Sequence, residues 1–513
     1  MAGGDVAANY RSTSSPSLLS AIRETPRWLT SLAGIAALAT LTISLRPTPR
    51  LLDFPFIEDA YYAFSVSRNL AQGNGLTIDG STWTNGFQPL TTVLGSLAFL
   101  GSPPVDVSLR VLMLAQWAVL IATACVIGLI VRTYVHSSDN GRYGFGLGFL
   151  AYIGSFFVVN TSMNGLETGA LLLAYAVVWR FVQLHDLSWG KSIWILGVLL
   201  GITALVRIDS LVVSVCILVW LWASYGFKSA LKAGVTSTLI VMPWILYGLL
   251  LTSSPVPSSG RAQTLIELSL FRLDRIFDAV VSAGFPWIPL STLLPGSGAV
   301  IRAVLIVGLI CLFVVLRKAT SRSQTTRRTE DFGVALVAGV FALAIYYGTT
   351  SYAYWFYGRY LSPLVLISSV VLASCLIWLP RTLTILAGFY FTAIALAASA
   401  GHWVNWLYQE NTMYTEQVAL VEGTVPTNDA VAAGQTGTLG FFRKGVVNLD
   451  GKVNAEILDF DGSPSEYLDS KGVIWLCDWP RLIDEYLGAD HPGWDEVDEK
   501  GEYLCIRRNT SQR

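Results

Sequence analysis

The sequence predicts a mainly α-helical, polytopic membrane protein that ends in a small α/β domain. Hydrophobic residues make up 53% of the 513 residues, and the mean hydropathy is +0.53. Charged residues make up only 13%, against roughly 25% in an ordinary soluble domain. Because the 34 basic and 35 acidic residues nearly cancel, the chain has no global basic field, and no nucleic-acid partner is expected.

The apolar residues form about eleven blocks of the length that a membrane-spanning helix requires. A helix needs about 20 apolar residues to cross a hydrocarbon core of about 30 Å. The predicted spans are 28–45, 111–131, 143–159, 169–184, 192–206, 210–225, 233–252, 299–316, 332–349, 361–379 and 382–400.

A twelfth apolar block, 89–101, has thirteen residues and is followed by Ser102-Pro103-Pro104. Its length fits an interfacial or re-entrant helix better than a span. With this assignment, loops on the amino-terminal side carry fifteen Lys and Arg residues and those on the other side carry ten. If the block crossed, the basic run 317–328 would lie outside, against the positive-inside rule. We therefore predict a cytoplasmic tail, 1–27, and an extracytoplasmic carboxyl terminus.

The composition changes at the end of the last apolar block and divides the chain there. Residues 28–401 form the predicted membrane domain, which includes a long first outer loop, 46–110. Residues 402–513 hold 19 acidic and 9 basic side chains, in short alternating runs separated by Gly, Pro and Asp. This pattern predicts a small α/β domain, which the topology places outside the cell membrane. Cys477 and Cys505 share it, and the sequence is compatible with either a disulfide or two thiols.

Several polar residues interrupt the apolar pattern on the predicted outer side. They are Glu58 and Asp59 in the first outer loop, Asn164 and Glu167 in the next, Arg207 and Asp209 in a tight turn, Arg261, and Arg359 in the aromatic turn 351–360. A charged group near hydrocarbon costs a few kcal/mol unless it is paired or hydrated. We therefore expect these residues to converge at one site on the extracytoplasmic face.

The motifs that the sequence lacks limit the chemistry of such a site. No His/Cys/Asp cluster has metal-ligand spacing, and there is no serine-hydrolase elbow, phosphate-binding loop or dinucleotide fingerprint. What remains are carboxylates for acid–base catalysis, arginines for phosphate, and aromatic rings for a sugar or a lipid. No metal ligands are assigned, although an Asp-rich site has oxygen ligands that suit Mg²⁺ or Mn²⁺.

The segment EDAYYAFSVSRNLAQGNGLTIDGSTWTNGFQPL, 58–90, resembles the first outer loop of GT-C glycosyltransferases, polytopic enzymes that use polyprenyl-phosphate sugars. An acidic pair, an R-N-L-A-x-G-x-G stretch and G-F-x-P-L follow in the same order. Further matching motifs are NGLET (164–168), VRIDS (206–210), PVPSSGR (255–261), GRYLSPL (358–364) and GVVNLDGKVN (445–454). The chain is similar to bacterial arabinofuranosyltransferase-like proteins, and more distantly to protein mannosyltransferases and the lipid A aminoarabinose transferase.

This resemblance implies transfer of one sugar, inverting or retaining, from a polyprenyl-phosphate donor to an extracytoplasmic glycan, lipid or protein. Arabinofuranose is the first expectation for the sugar, and mannose or another hexose the second. The acidic pair implies a catalytic base, Asp59, with Glu58 as its support or substitute. The residues implied to bind the donor phosphate are Arg207, Arg261 and Arg359, with Tyr357 or Tyr360 as hydrogen-bond donors. The residues implied to bind substrate are Trp83, Asn85, Gln88, Asn164, Glu167 and Asp209.

Each candidate also has a structural interpretation, and the sequence leaves both open. Acidic residues stabilise helix amino termini, so Glu58, Asp59 and Glu167 equally fit helix caps. Arg207 and Asp209 fit a structural ion pair, and Arg359 fits an arginine that reaches toward lipid headgroups. Trp83 fits an interfacial aromatic belt, and Asn85 and Gln88 fit turn closure. A lipid transporter or flippase also places charges among many spans, but no inverted repeat is detected.

The expected donor requires a particular architecture. Its prenyl chain stays in membrane lipid while its phosphate and sugar reach water, so a groove open to the bilayer is required. The block 89–101 is suited to form a wall of that groove. Since no nucleotide is available outside the cytoplasm, the energy for transfer must come from the sugar–phosphate bond. Fixed arginines stabilise the developing charge of the leaving phosphate more strongly than the ground state, which accelerates transfer.

Overall fold

The computed structural model describes residues 16–135, 140–188, 190–264, 273–287, 307–308, 324–351, 353–404 and 413–509. The amino-terminal part is helical. Its helices are α1 (Leu18–Glu24), α2 (Arg27–Ser44), α3 (Thr48–Asp53), α4 (Glu58–Ala71), α5 (Pro89–Gly95), α6 (Val105–Tyr134), α7 (Gly144–Ile153), α8 (Phe156–Ser162), α9 (Thr168–Leu184), α10 (Lys191–Val206), α11 (Ser210–Tyr225), α12 (Phe227–Leu251), α13 (Ser258–Arg261), α14 (Leu273–Gly284), α15 (Gln324–Thr350), α16 (Tyr357–Tyr360), α17 (Leu364–Ile377) and α18 (Arg381–Val404).

The helical part is held together by apolar helix–helix contacts. The packed pairs are α2 with α18, α6 with α7 and α9, α10 with α12, and α11 with α15. Their buried side chains form one continuous core of aliphatic and aromatic residues. Many large apolar side chains on the outer helix faces are exposed, including Leu239, Leu250 and Ile345. Exposed apolar faces around an apolar core are what lipid contact requires.

Among the described residues, five helices are long and apolar enough to cross a membrane: α2, α6, α12, residues 330–350 of α15, and α18. A sixth is counted if Gly141–Ile153 and α8 form one span. These helices are those of a multi-pass membrane protein. They do not confirm about eleven spans, because α9, α10, α11 and α17 have 17, 16, 16 and 14 residues. The predicted span 299–316 lies outside the described residues apart from 307–308.

The predicted span 143–159 is not one straight helix. The chain bends by 66° between Gly141–Ile153 and α8. Gly154 packs against the backbone of α18, where a side chain would overlap the carbonyl oxygen of Phe391. Ser155 then caps α8 by accepting a hydrogen bond from the Val158 N–H, at 3.1 Å. A local cap at a tight helix contact therefore breaks a run that is uniformly apolar in sequence.

The short block predicted at 89–101 is a short helix. It consists of α5 and a 3₁₀ turn, Ser96–Phe99, and it counts among the shorter apolar helices. Thr92 and Ser96 are buried on one side, whereas Leu94 and Leu97 are 56% and 63% exposed on the other. One face of this helix is buried against the protein and the other exposes leucines, as fits a helix at the membrane surface. Its position at that surface stays a prediction.

The carboxyl-terminal residues 413–509 form the predicted α/β domain, termed here the outer domain after the side of the membrane on which the sequence predicts it. Its elements are α19 (Met413–Thr424), β1 (Val431–Ala433), α20 (Gly437–Phe442), β2 (Val446–Asn448), α21 (Ala455–Leu458), α22 (Pro464–Lys471), β3 (Trp475–Asp478), α23 (Pro480–Leu487), β4 (Trp494–Lys500) and β5 (Tyr503–Arg508). The strand order is β2-β1-β3-β5-β4. Strands β2, β1 and β3 are parallel to one another. Strand β5 pairs antiparallel with β3, and β4 pairs antiparallel with β5.

Apolar cores cover both faces of this sheet. Along β1, Val431 and Ala433 pack on one face and Ala432 on the other, the period of two expected for a strand. Cys477 of β3 lies opposite Cys505 of β5, and the two form a disulfide. The disulfide that the sequence left open is therefore present.

The outer domain docks on the first outer loop through α20, which packs against α4. Phe441 of α20 is buried in the core of the membrane domain, 5.4 Å from the ring centroid of Tyr61. Arg68 donates a 2.9 Å hydrogen bond to the Phe441 carbonyl oxygen and also covers its ring. The outer domain and the membrane domain therefore share an apolar core along α4.

Candidate active site

A cavity of about 880 Å³ lies beneath this interface. Helices α4, α5, α6, α12 and α15 contribute walls, together with the α10–α11 turn, the loop 255–264 and α16. Among the described lining residues are seven that the sequence predicts as site residues: Asp59, Gln88, Glu167, Arg207, Asp209, Arg359 and Tyr360. Residues from distant parts of the chain therefore converge at one place, as the sequence pattern predicts.

Asp59 lies at the polar end of the cavity, as the second residue of α4. Its Oδ2 is 3.4 Å from Arg359 Nη1, and its Oδ1 is 3.8 Å from Lys452 Nζ. The side chain is 18% exposed. Asp59 lies in the first turn of α4, where a carboxylate favours the helix dipole, and it also pairs with two cations.

Arg359 connects Asp59 to the aromatic turn. Its guanidinium lies 4.8 Å from the ring centroid of Phe356 and 5.3 Å from that of Tyr360. Burial acts to lower the pKa of Arg359, but Tyr360, Glu167 and Asp59 outweigh burial and the net shift is upward. The guanidinium therefore stays charged, and it faces the cavity instead of reaching away toward lipid headgroups.

Arg207 forms a buried network behind Arg359. Its Nη2 is 3.1 Å from Asp209 Oδ2 and its Nε is 3.5 Å from Glu167 Oε1. Its Nη1 donates a 3.3 Å hydrogen bond to the Arg359 carbonyl oxygen, and Tyr347 donates a hydrogen bond to Asp209. The network holds the aromatic turn against the α10–α11 turn. Arg207 therefore forms the structural pair that the sequence left open, and it also lines the cavity.

Glu58 faces away from the cavity into the outer domain. It is 5% exposed, and it accepts hydrogen bonds from the Gly437 N–H, the Thr438 N–H and the Thr438 hydroxyl. Burial raises the pKa of Glu58 to about 7, and the hydrogen bonds from Thr438 and Gly437 offset this only in part. Glycine is required at 437 because a side chain there would overlap the Glu58 carbonyl oxygen.

The segment 434–438 of the outer domain directs five consecutive backbone N–H groups at acceptors. Asp478 accepts from Gly434 at 2.5 Å and from Gln435 at 3.4 Å. The Tyr62 hydroxyl accepts from Thr436 at 3.1 Å, and Glu58 accepts from the last two. Burial raises the pKa of Asp478 to about 7. This segment, termed here the docking loop, is therefore held by one carboxylate of each domain.

The remaining predicted residues are absent from the described lining of the cavity. Arg261 pairs with Asp459 of the outer domain. The Tyr357 hydroxyl donates to the carbonyl oxygens of Tyr347 and Ser351, each at 3.0 Å. Asn164 accepts from the Leu166 N–H through its side chain, and Trp83 packs edge-on against Tyr247.

Asn85 also lies outside the described lining and joins two loops. Its Oδ1 accepts a 2.9 Å hydrogen bond from the Ser258 N–H. Its Nδ2 donates to the carbonyl oxygens of Ser254 and Val256, at 2.9 and 3.3 Å. Asn85 therefore has a structural role, which joins its turn to the segment 254–258. Gln88 lines the cavity and accepts a 3.0 Å hydrogen bond from the Ile208 N–H.

Lys452 is a cavity residue that the sequence did not single out. It comes from the outer domain, within the GVVNLDGKVN motif. Its ammonium group lies 3.1 Å from Asp450 and 3.8 Å from Asp59. Only the match of this motif to the GT-C pattern pointed to it, because a lysine in a polar turn of a soluble domain is ordinarily solvated.

The site does not fit a divalent cation. Across the part of the chain that the structure describes, no group of three His, Cys, Asp or Glu side chains is arranged to hold a metal ion. Asp59 already lies within 4 Å of Arg359 and Lys452. A further cation at Asp59 would be repelled by both charges.

Comparison with known proteins identifies the fold. No family model matches the sequence, and no curated protein sequence matches it. Among solved structures, ArnT from Cupriavidus metallidurans bound to undecaprenyl phosphate has a TM-score of 0.58 and 10% identity, covering 93% of this chain and 97% of ArnT. The Archaeoglobus fulgidus oligosaccharyltransferase AglB, in complex with an inhibitory peptide and a dolichol-phosphate, has a TM-score of 0.54 and 13% identity, covering 93% and 74%.

The matched structures are GT-C glycosyltransferases, so the chain has the fold that the sequence resemblance implied. At these identities the likeness extends to the fold alone. The arabinofuranosyltransferase AftD from Mycobacteria matches at a TM-score of 0.40 and 13% identity, over 94% of this chain and 40% of AftD. That score is too low to support an argument about the sugar.

Proposed function

We propose that the protein is a membrane glycosyltransferase that transfers one sugar from a polyprenyl-phosphate donor to an extracytoplasmic acceptor hydroxyl. The observation that carries the proposal is the position of Asp59. Its carboxylate lies between two cations at the polar end of a largely apolar cavity. A base beside phosphate-binding cations, with an apolar wall next to them, is what a lipid-phosphate sugar requires. The GT-C fold supports the same conclusion.

The apolar wall provides a path for the prenyl chain. Leu94, Leu97 and Val111 line the cavity and are 56%, 63% and 46% exposed. Helix α5 therefore joins the cavity to the apolar outer surface of the molecule. A prenyl chain that enters along this helix stays in hydrocarbon while its phosphate reaches Arg359.

The residues of the cavity suit a direct displacement. The acceptor hydroxyl gives its proton to Asp59 as its oxygen bonds to the anomeric carbon of the donor sugar. The bond between that carbon and the phosphate oxygen breaks, and the electron pair leaves with the phosphate. Arg359 stabilises the charge that develops on the leaving group, with Tyr360 beside it as a hydrogen-bond donor. Arg207 holds the backbone of Arg359 in place, and no step requires a metal ion.

The sugar and the acceptor are proposed on sequence resemblance. Arabinofuranose is the first candidate for the sugar, with mannose or another hexose second. The acceptor is a glycan, a lipid or a protein on the extracytoplasmic side, where we place the cavity and the outer domain. Of the predicted phosphate-binding residues we retain Arg359 and Tyr360 at the donor, with Arg207 behind them as the residue that holds Arg359, because these three line the cavity and Arg261 and Tyr357 are absent from its described lining.

The experiment that tests this function supplies purified protein in lipid nanodiscs with a panel of polyprenyl-phosphate pentoses and hexoses. Transfer is read as release of free polyprenyl phosphate together with a glycosylated acceptor. Asp59→Asn should lower the rate of release by about 10²- to 10⁴-fold while the protein stays folded. Asp106→Asn, on the exposed start of α6, is the matched control and should react like the wild type.

A flippase or transporter is the alternative function. It would move the lipid between leaflets without breaking the sugar–phosphate bond, and it would not need Asp59 as a base. Wild-type protein that moves the lipid but leaves every tested donor intact would favour the alternative. Equal release by Asp59→Asn and the wild type would refute the assignment of the base.

A further inference from the structure

Lys452 is the one outer-domain side chain among the described residues that line the cavity. It follows β2 in a tight turn in which Gly451 has a positive φ of 76°. Its ammonium group lies 3.1 Å from Asp450 Oδ2 and 3.8 Å from Asp59 Oδ1, and the side chain is 15% exposed. The proposed displacement gives roles to Asp59 and Arg359 but none to the ammonium group of Lys452.

The position of Lys452 is set by contacts from both domains. Its backbone N–H donates a 2.9 Å hydrogen bond to Asp450 Oδ1. Its carbonyl oxygen accepts a 2.8 Å hydrogen bond from Ser258 of the membrane domain. Gly86 approaches the same carbonyl so closely that a side chain at position 86 would overlap it. The lysine is therefore built into the cavity by the interface instead of reaching it as a mobile surface chain.

The charge of Lys452 is secured by its neighbours. Burial acts to lower the pKa of Lys452, but Asp450 and Asp59 outweigh burial and move that pKa well above its ordinary value. In the structure, Asp59 Oδ1 faces Lys452 while Asp59 Oδ2 faces Arg359. Both cations are thus held next to the base.

We propose that Lys452 binds the donor phosphate together with Arg359, and that both cations exchange their contacts with Asp59 for contacts with the phosphate. The inference rests on the proposed function and deepens it, because it makes the outer domain part of the donor site. A phosphate offers each cation its own charge-assisted hydrogen bonds, bidentate for Arg359, in place of one carboxylate that both cations share. Once the phosphate is bound, Asp59 has lost its counter-charges and can accept the acceptor proton. Donor binding therefore activates the base.

The test measures binding of undecaprenyl phosphate, without a sugar, to the full-length protein in nanodiscs. The variants are Lys452→Met, Lys452→Arg and the control Lys471→Met, which removes a partly exposed outer-domain lysine paired with Glu456. Loss of one charge-assisted contact should raise the Kd of Lys452→Met roughly ten- to a hundredfold. Lys452→Arg should stay within a few-fold of the wild type, and Lys471→Met should equal it. Wild-type affinity in a folded Lys452→Met protein would overturn the inference.

Asp59→Asn provides a second measurement that does not depend on how Lys452→Met folds. Removing the competing carboxylate should tighten binding of undecaprenyl phosphate several-fold while transfer is lost. Unchanged or weaker binding in this variant would contradict the exchange of partners. The two proposals fail differently: wild-type protein that does not bind the lipid phosphate overturns the donor class, and with it this inference. Wild-type binding that is insensitive to Lys452 overturns the inference alone.

Discussion

Glu58 and Asp59 are adjacent in sequence, but their carboxylates contact different domains. Glu58 accepts hydrogen bonds from Gly437 and Thr438 of the outer domain, whereas Asp59 faces Arg359 and the cavity. Successive residues of an α-helix are rotated by about 100° around its axis, so these two side chains point in different directions. The acidic pair therefore divides into a residue that docks the outer domain and a residue directed at the proposed reaction.

This division predicts opposite phenotypes for two conservative variants. Asp59→Asn should lower the rate of sugar transfer by about 10²- to 10⁴-fold, the contribution of a general base, with little change in melting temperature. Glu58→Gln should lower the melting temperature and leave most of the transfer rate. Measuring both quantities on both proteins checks this, and a reversed order would assign the base to Glu58.

The attachment of the outer domain should weaken as pH rises. Glu58 and Asp478 both have their pKa raised to about 7 by burial, from ordinary values of 4.5 and 3.8. The folded state therefore binds their protons more tightly than the unfolded state, so the stabilisation is complete below about pH 4 and is lost as pH rises through about 7. Hydrogen exchange of the docking loop, corrected for intrinsic rates, should be faster at pH 8 than at pH 5.

Glu58→Gln provides the control for the pH effect. The amide does not titrate, so the share of the pH dependence that comes from Glu58 should disappear. Exchange rates in the docking loop that depend on pH as strongly as in the wild type would show that Glu58 is not responsible.

The two cavity arginines should differ in what they stabilise. Arg207 is 2% exposed and pairs with Glu167 and Asp209. Arg207→Met leaves these two carboxylates buried without their cation, which should cost about 3–5 kcal/mol of stability. Arg359→Met should mainly weaken binding of the lipid phosphate, because its guanidinium faces the cavity. Melting temperature and lipid binding, measured for both variants, separate the two roles. If the two variants lowered melting temperature and lipid binding to the same extent, the arginines would not have separate roles.

Gly86→Ala should impair the donor site without removing any polar group. The added methyl group overlaps the carbonyl oxygen of Lys452, so the loop of the outer domain must move and displace the ammonium group. We expect weaker binding of undecaprenyl phosphate. Gly423→Ala in α19 is the control, since a methyl group there meets no atom within 4 Å. Equal affinities of the two variants would show that the loop tolerates the change.

The disulfide should stabilise the outer domain locally. Cys477 and Cys505 are separated by 28 residues, and closing a loop of that size contributes about 3.6 kcal/mol in the chain-entropy account. A reductant, or Cys477→Ser with Cys505→Ser, should therefore lower the unfolding temperature of the outer domain. Cys375→Ser, which removes a free thiol, serves as the control. An unchanged transition after verified reduction would contradict this expectation.

The apolar blocks predicted as spans coincide with helices where a pattern acts within one segment, although only five or six of these helices are long and apolar enough to cross a membrane. Ten of the eleven predicted spans coincide with described helices or a broken helix pair, because long apolar runs fold as helices wherever water is excluded. The break at Gly154 escaped prediction because its cause is the backbone of α18, far away in the sequence. The strand pattern of the outer domain was recognisable for the same local reason, as alternation marks strands.

The candidate site was predicted in part, and the omissions share one cause. Asp59, Arg207 and Arg359 were identified because charge in an apolar setting is conspicuous in a sequence. Arg261 and Asn85 were expected to bind substrate, yet the structure directs them at Asp459 and at a neighbouring loop. Lys452 was not selected because lysine in a polar turn is unremarkable until its neighbours are known.

The sequence by itself determined the class of protein: many apolar helices, a short boundary helix, a small α/β domain and a set of charged residues between spans. These properties follow from composition and periodicity, which can be recognised within a short segment of the sequence. Only the tertiary structure decided which charges face each other, because contacts between distant segments depend on packing. It separated Glu58 from Asp59, closed the disulfide, and carried Lys452 from the outer domain into the cavity.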